Sequence, residues 1–570
     1  MPFVLPVLVS RLSTAAAAAF GSSYGELDPE LRAATKPEFG HFQTSLPLRL
    51  AKSLGRPPRM VAEQLVAKLD LSDLCEPPAI AGPGFVNLTL LPGTLAAGVN
   101  DLLDHGAGFL TRGERVVVDY SQPNVAKQMH VGHLRSTVIG DALCAVLEYV
   151  GYEVVRQNHV GDWGTQFGML VEQLLDEQAD SLDLEGLQQL YQRARKHFDA
   201  DSNFANQARA RVVALQSGDR ETLAIWRQMV EVSLTEFDRL YAKLGSPLTR
   251  ADVVGESAYN DQLQGVVDDL TAAGLLKESD GARCVFLPGF TGRDGSPLPV
   301  IVQKSDGGFG YSATDLAAIR HRVDDLQARR IIYVVDHRQT FHFQQIFALA
   351  RAAGWLPVTT SAEHVPFGAV LGEDGKPFKT REGDTVRLVS LLDEAVARAE
   401  ALLDERGVPF PEPARGEIAR AVGIGAVKYA DLANDRVNDY RFALDRMVAM
   451  TGNTGPYLQY AHARLTRILA KAAAPVGQVT LLTEPAEQRL ALLLSGFGDT
   501  VVQVAETLQP HRLCTYLYDV ATVLSAFYET CPVLASEGEV RSSRIALCAA
   551  TRKVLQDGLG LLGMTAPDAM

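Results

Sequence analysis

The sequence predicts a multidomain α/β protein. It has a Rossmann-type, doubly wound parallel-sheet catalytic domain with an insertion, a small α+β domain before it and an all-α helix bundle after it. Three observations predict this. Strand-like and helical stretches alternate between about residues 116 and 371, the order that builds a parallel sheet. The stretch before them mixes helical and β-like patterning. After about residue 395 almost every periodic segment has the helical repeat. The chain of 570 residues, 47% hydrophobic and 21% charged, is long enough for several domains with buried cores.

Taken in order, the first unit spans residues 1–112. Its opening, MPFVLPVLVSRLSTAAAAAFG, has apolar residues but no basic run before Arg11, and prolines interrupt it, so it reads as an amphipathic helix and not a secretion signal. Helical patterning recurs at Ser45–Lys52 and Pro58–Leu69, and a β-like segment follows at Pro83–Leu90. Gly106–Gly113 reads as a linker.

The second unit spans residues 113–395. It starts with the β-branched run Val116-Val117-Val118, then a loop, a helix from about Val131 to Tyr149, and a strand at Tyr152–Gln157. Polar helical sequence at 170–250 marks an insertion reaching to about 295. Strand signals return at Pro299–Val302, Ile331–Val335 and His364–Leu371 and are expected in the same sheet. Residues 396–570 form the helical unit.

No apolar run reaches the length of a membrane span. Cysteines 75, 144, 284, 514, 531 and 548 never form a CxxC pair, which argues against structural zinc and for a reducing, cytoplasmic setting. The net charge of −14 at first opposes nucleic-acid binding, but it is uneven. Residues 1–110 carry −2 and residues 451–570 carry −1, leaving −11 in the middle, so any RNA contact at the ends relies on placed residues and not on a basic field.

The strongest chemical signal is Asp119-Tyr120-Ser121-Gln122-Pro123-Asn124-Val125-Ala126-Lys127-Gln128-Met129-His130-Val131-Gly132-His133. It lies where a first strand ends and a helix begins, the place where an open α/β sheet forms its ligand crevice and where free N–H groups face phosphate. Gly132 lets backbone approach a nucleotide, and two imidazoles three residues apart face one ligand. Imidazole donors aimed at an α-phosphate stabilise the charge that builds during attack on it. For a bare HxGH, two histidines that only cap the helix are the plainer reading.

The longer string resembles the signature of arginyl-tRNA synthetases, a class I family, including its Ser-x-Pro-Asn lead-in, the Lys before the first His and the following Leu134-Arg135-Ser136-Thr137. Further similarity lies in Asn158–Gly168, Gly423–Leu432, Gly452-Asn453-Thr454 and Pro456–Ala461. The resemblance implies ATP-dependent formation of arginyl-adenylate and transfer to the terminal ribose of tRNA(Arg), with the first step generally requiring bound tRNA. It implies Mg2+ arriving with ATP, no metal site and no zinc.

It implies catalytic roles for His130, His133, Lys127, Lys379 and Arg381. The ATP site is expected on His130, Gly132, His133, Phe367, Gly368, Val370, Lys376 and Lys379. The stretch Gly372–Gly383 stands where the family carries a KMSKS-like loop, and it departs from that pattern by Lys379-Thr380-Arg381. Lys127 is implied to supply part of the missing charge, and a solvated basic turn is the plain alternative reading of the loop.

Arginine brings a planar guanidinium with five donors, so its pocket needs acceptors in a fixed fork. The resemblance implies Asp119, Asp315 and Tyr311 near the guanidinium, and Asn124 and Gln339, with Ser121 and His133, around the amino acid's other end. Asp315 also suits a helix N-terminal charge, and Asn124 a turn after proline. For tRNA the implied contacts are Phe42 and Gln43 at the elbow, in a segment that has His41 where the family has Asp, and Asn434, Arg436, Tyr457, Tyr460 and Arg464 at the anticodon. Aromatic residues at helical spacing serve a core equally well. A monomer is expected. The alternatives are a synthetase for another amino acid, a smaller HxGH adenylyltransferase, and a catalytically silent tRNA-binding paralogue, for which only the departed loop leaves room.

Overall fold

A computed structural model describes residues 4–109, 111–177, 184–292, 294–372, 374–376, 386–405 and 410–570. The first helix, Val4–Phe20, buries Val4, Leu8, Leu12, Ala15 and Ala16, the one-face spacing that the sequence carries. The helices Leu46–Leu54 and Pro58–Val66 pack beside an antiparallel sheet of Leu31–Ala33, Phe42–Thr44, Phe85–Leu88 and Ala79–Ala81, in that order across the sheet. This is the expected α+β unit.

The central sheet is parallel, with the order Ser361–Phe367, Arg330–Asp336, Arg115–Asp119, Glu153–Gln157. The chain runs outward from Arg115–Asp119 to Glu153–Gln157, then returns to place Arg330–Asp336 on the other side. The order therefore reverses between Arg115–Asp119 and Arg330–Asp336, and the crevice at their carboxyl ends is the expected ligand site. Helices cover both faces. Val116, Val118, Ile332 and Val334 belong to the core shared with the helix Val131–Tyr149 and the C-terminal bundle. Val117, Ile331, Tyr333 and Val335 belong to a second core with the helices Leu263–Ala272, Tyr311–Arg320 and Thr340–Ala352. Burial on both faces is why these strands read as unbroken apolar runs.

Two strand expectations are corrected. Pro297–Gln303 is a strand, but it joins Ala282–Thr291 and Leu276–Ser279 in a separate antiparallel sheet, because the chain enters it by a hairpin and not by a helical crossover. The segment His364–Leu371 is not one strand. The parallel strand ends at Phe367, and Val370–Leu371 pairs instead with Tyr440–Arg441. The expected helices of the insertion are Thr165–Glu177, Leu184–Ala200, Ser202–Gln216 and Arg220–Leu244. From Leu388 onward helices dominate, among them Ala414–Leu432, Gly455–Ala472, His511–Thr530 and Gly538–Leu561. Among the described residues no helix is long and apolar enough to cross a membrane.

Candidate active site

The loop that leaves the strand Arg115–Asp119 is held in an uncommon backbone shape. Ser121, Gln122 and Ala126 have φ of 71°, 52° and 62°, left-handed values that residues with a Cβ adopt at a cost and that cluster at functional sites. Neighbouring groups enforce them. The Ser121 amide donates to Ser136 Oγ at 2.9 Å, that of Gln122 to Asn158 Oδ1 at 3.0 Å, and that of Ala126 to Ser233 Oγ at 3.0 Å. Val125 N–H donates to the Gly161 carbonyl at 3.0 Å, so the stretch Asn158–Gly168 serves as the wall against which the loop sets.

His130 is the N-cap of the helix Val131–Tyr149. The Gly132 amide donates to Nδ1 of His130 at 3.0 Å, and the His130 amide donates to Nδ1 of His133 at 3.2 Å. The capping reading and the chemical reading are thus compatible. Both δ nitrogens accept backbone hydrogens, so each neutral ring carries its proton on Nε2 and can offer it to a ligand. The rings lie 4.2 Å apart. Burial, then His130, then Lys127 push the His133 imidazole down to about 3, and burial, Arg338 and Lys127 lower that of His130. Two neutral donors therefore stand at a helix N-terminus. Gly132 is needed chiefly for the His130 ring, since a Cβ there would meet Cε1 at 2.7 Å.

On the helix Tyr311–Arg320, Asp315 Oδ2 is 2.6 Å from His342 Nε2, and the Tyr311 ring meets that histidine edge-on at 5.1 Å. Tyr311 is 68% exposed and lines a cavity of about 420 Å³ with Trp163, Arg209, Glu256, Lys304 and Thr314. Burial, then the charges of Asp162 and Asp315, raise the Glu256 carboxyl to about 8. Gln339 is exposed, and its amide makes no hydrogen bond among the described residues. Asn124 is exposed beside Gly161, where a Cβ would lie 2.4 Å from its Oδ1.

Two expected arginine contacts have other partners. Asp119 accepts from Gln122 Nε2 at 2.7 Å through Oδ1 and from Arg322 Nη2 at 2.7 Å through Oδ2. Arg322 also donates to Gln157 Oε1 at 2.6 Å, and its side chain is fully buried. The guanidinium at Asp119 is therefore the protein's own. Ser121 turns inward, its hydroxyl between Tyr241 Oη at 2.8 Å and Thr137 Oγ1 at 2.9 Å.

On the ATP side, Phe367 and Val370 are buried, and Gly368 sits where a Cβ would meet Asn438 carbonyl atoms at 2.7 Å. Arg135, just after the paired histidines, donates to the Gly368 carbonyl at 2.8 Å and the Asn438 carbonyl at 2.9 Å, and forms a buried ion pair with Asp431. Lys376 is exposed on a turn closed by Gly372 N–H to its carbonyl at 2.8 Å. Lys379 and Arg381 lie outside the described residues. Lys127 Nζ lies 4.8 Å from the centre of the Tyr191 ring, on the insertion side.

In the N-terminal unit, Phe42 and Gln43 lie on a strand, with Gln43 Nε2 donating to Asn87 Oδ1 at 2.7 Å. His41 accepts from the Leu90 amide at 3.0 Å, a local use for a residue that departs from the family pattern. In the bundle, Asn434 is exposed. Arg436 is half-buried, its guanidinium lowered by burial, and its carbonyl accepts from Gly368. Residues 436–442 thus run beside residues 368–371. Tyr457, Tyr460 and Arg464 share one helix; Tyr460 is 37% exposed and the Arg464 guanidinium stacks 3.9 Å over Tyr528.

The sequence reading missed His342, Arg322, Glu256 and Tyr528. Only the acid-rich surroundings of Glu256 offered a signal, since the other contacts join residues far apart in the chain. Among the described residues no three His, Cys, Asp or Glu side chains group as a metal site.

Comparison with known proteins closes the picture. A model of the catalytic domain of tRNA synthetases class I (R) matches residues 99–444. Models of the arginyl tRNA synthetase N terminal domain and the DALR anticodon binding domain match residues 7–90 and 458–570. An arginine–tRNA ligase of Cutibacterium acnes is 54% identical over 99% of this chain and 100% of its own, and one of Thermobifida fusca is 53% identical over 99% of each. The crystal structure of arginyl-tRNA synthetase from Plasmodium falciparum superposes with a TM-score of 0.86 at 29% identity, covering 100% of this chain and 99% of that one.

Proposed function

Because the chain belongs to the class I arginyl-tRNA synthetase family, whose reaction joins arginine to tRNA with ATP, we propose a role for each part of its crevice in that reaction. The observation that carries the proposal is the pair of neutral imidazoles with free Nε2–H groups at the helix N-terminus, in a structure that also holds the Asp315–His342 pair. ATP lies over the start of the helix Val131–Tyr149, and Mg2+ accompanies it and offsets phosphate charge. The carboxylate of arginine attacks the α-phosphate, and His130 and His133 donate to the oxygens that gain charge. Gly132, Phe367, Gly368, Val370 and Lys376 line the nucleotide, and Lys127, Lys379 and Arg381 supply cations toward pyrophosphate.

Asp315 takes the guanidinium, with His342 orienting its carboxylate and Tyr311 closing the mouth. Glu256 adds a second acidic wall. Asn124 and Gln339 hold the amino and carboxylate end, and Asp119 supports the pocket indirectly through Arg322. The ribose hydroxyl of tRNA then takes the aminoacyl group, a step governed by positioning.

We also propose that residues 1–112, 113–395 and 396–570 act as elbow-binding, catalytic and anticodon-binding units, that Phe42, Gln43, Asn434, Arg436, Tyr457, Tyr460 and Arg464 meet tRNA, and that the enzyme is a cytoplasmic monomer without zinc. The deciding experiment is tRNA-dependent ATP–pyrophosphate exchange across a panel of amino acids. Arginine alone should support it, and Asp315→Ala should raise the arginine KM far more than the ATP KM. Equal effects on both would overturn the pocket.

A further inference from the structure

Between the helices Ala414–Leu432 and Gly455–Ala472, beside the strand Tyr440–Arg441, there is a cavity of about 270 Å³, lined by Tyr429, Asn434, Arg441, Arg446, Asn453 and the start of the helix Gly455–Ala472. Among the described residues its lining includes no carboxylate, in a chain of net charge −14. Both arginines are exposed, and neither forms an ion pair among the described residues. The acids of the same segment are engaged elsewhere. Asp435 Oδ1 accepts from the Val437 amide at 3.3 Å, Asp439 Oδ1 from the Ala369 amide at 2.6 Å, and Asp445 pairs with Arg398 at 2.8 Å. Among the described residues, the two guanidinium groups at this opening thus have no ion-pair partner.

We propose that this cavity, with Arg441 and Arg446 at its rim, binds a phosphodiester of the tRNA backbone. The inference rests on the reading above that the chain charges tRNA. Three features fit that ligand. Guanidinium forks match phosphate oxygens, and although Asn434 Nδ2 donates to the Ala430 carbonyl and Asn453 Oδ1 accepts from Tyr429 Oη, Asn434 Oδ1 and Asn453 Nδ2 remain to meet a ribose. The volume suits one nucleotide's backbone and not a folded protein. The cavity also opens at Asn453-Thr454, one turn before Tyr457, so a strand that reaches Tyr457, Tyr460 and Arg464 passes over it.

The site also touches the ATP side. Arg441 is on the strand paired with Val370–Leu371, and its Nη2 lies 3.3 Å from the position of a Cβ at Gly375. A triphosphate is therefore the competing anion, and the experiment separates the two.

The test uses the full chain and Arg441→Gln, Arg446→Gln and the double variant, with tRNA binding followed by fluorescence anisotropy over a graded KCl series. Each single change should weaken tRNA binding about tenfold, the worth of one charge-assisted hydrogen bond. The slope of log Kd against log salt should become shallower by about 1 per arginine. Arg441→Lys should keep the slope, which a purely structural role would not require. At saturating tRNA the KM values for ATP and arginine should stay in place. An unmoved slope with tRNA charging intact would overturn this inference alone, as would a raised ATP KM with tRNA affinity unchanged. Failure of the unaltered chain to charge tRNA would overturn the functional reading and this one with it.

Discussion

Replacing Asp119 by Asn tests whether that carboxylate faces the substrate or the protein. The Arg322 guanidinium is fully buried, 2.7 Å from Asp119 Oδ2, and its Nη1 already has no hydrogen-bond partner. Asn keeps the shape and one acceptor but removes the charge, so Arg322 is left as a buried cation without a counter-ion. Breaking a buried pair from one side costs about 3–5 kcal/mol, and the retained acceptor places this change near the lower end. A loss of about 3 kcal/mol lowers the melting transition of a domain of this size by roughly 5–10 °C. Differential scanning fluorimetry reads that shift, and steady-state exchange reads the arginine KM. The paired variant Asp119→Leu with Arg322→Met should recover much of the lost stability, because apolar residues of similar volume replace buried ion pairs at little cost. An unchanged melting temperature with an arginine KM raised a hundredfold would refute the reasoning, since it would mean that the carboxylate serves the substrate directly.

Three further outcomes follow from the same geometry. His133→Ala removes one Nε2 donor and should slow adenylate formation by about 10² to 10³, read as single-turnover ATP consumption; an unchanged rate would remove His133 from the chemistry. Glu256 has a native carboxyl raised to about 8 from an ordinary 4.5, so the native state holds its proton more tightly than the unfolded chain and loses stability as pH rises through that window. A bound arginine cation relieves this cost, so the arginine KM should fall between about pH 6 and pH 8, and Glu256→Gln should flatten the profile. Gly140→Ala should destabilise by more than about 3 kcal/mol in chemical denaturation, because its Cβ would lie 2.2 Å from the Tyr120 ring, whose hydroxyl is tied to Asp141 at 2.8 Å.

Much of the fold was legible because burial on both faces leaves a direct trace. Val116-Val117-Val118 and Ile331–Val335 could only be central strands, and the helix after His130 carried its own cap. The strand at Pro297–Gln303 was visible, but its sheet was not, since a short β-branched run carries no record of its partner. The break at Phe367 was hidden for the same reason: Val370–Leu371 pairs with residues 70 positions away. At the site, residue types were readable and partners were not. Asp119 has the chemistry of a guanidinium acceptor, yet the guanidinium it holds lies 203 residues along the chain. Ser121 has a ligand's hydroxyl, but its left-handed backbone turns it inward.

The seam between Val370–Leu371 and Tyr440–Arg441 has a consequence for anyone wishing to cut the enzyme apart. A fragment ending near residue 395 would lack the strand that closes this edge and the Asp431 carboxylate that neutralises Arg135. It would carry an unpaired strand edge and an arginine stripped of its counter-ion, and the open edge favours aggregation over independent folding. Exchange of bundles between related enzymes should therefore use a junction beyond Phe442, so that the transplanted part leaves the turn Gly372–Lys376 and its strand pairing intact.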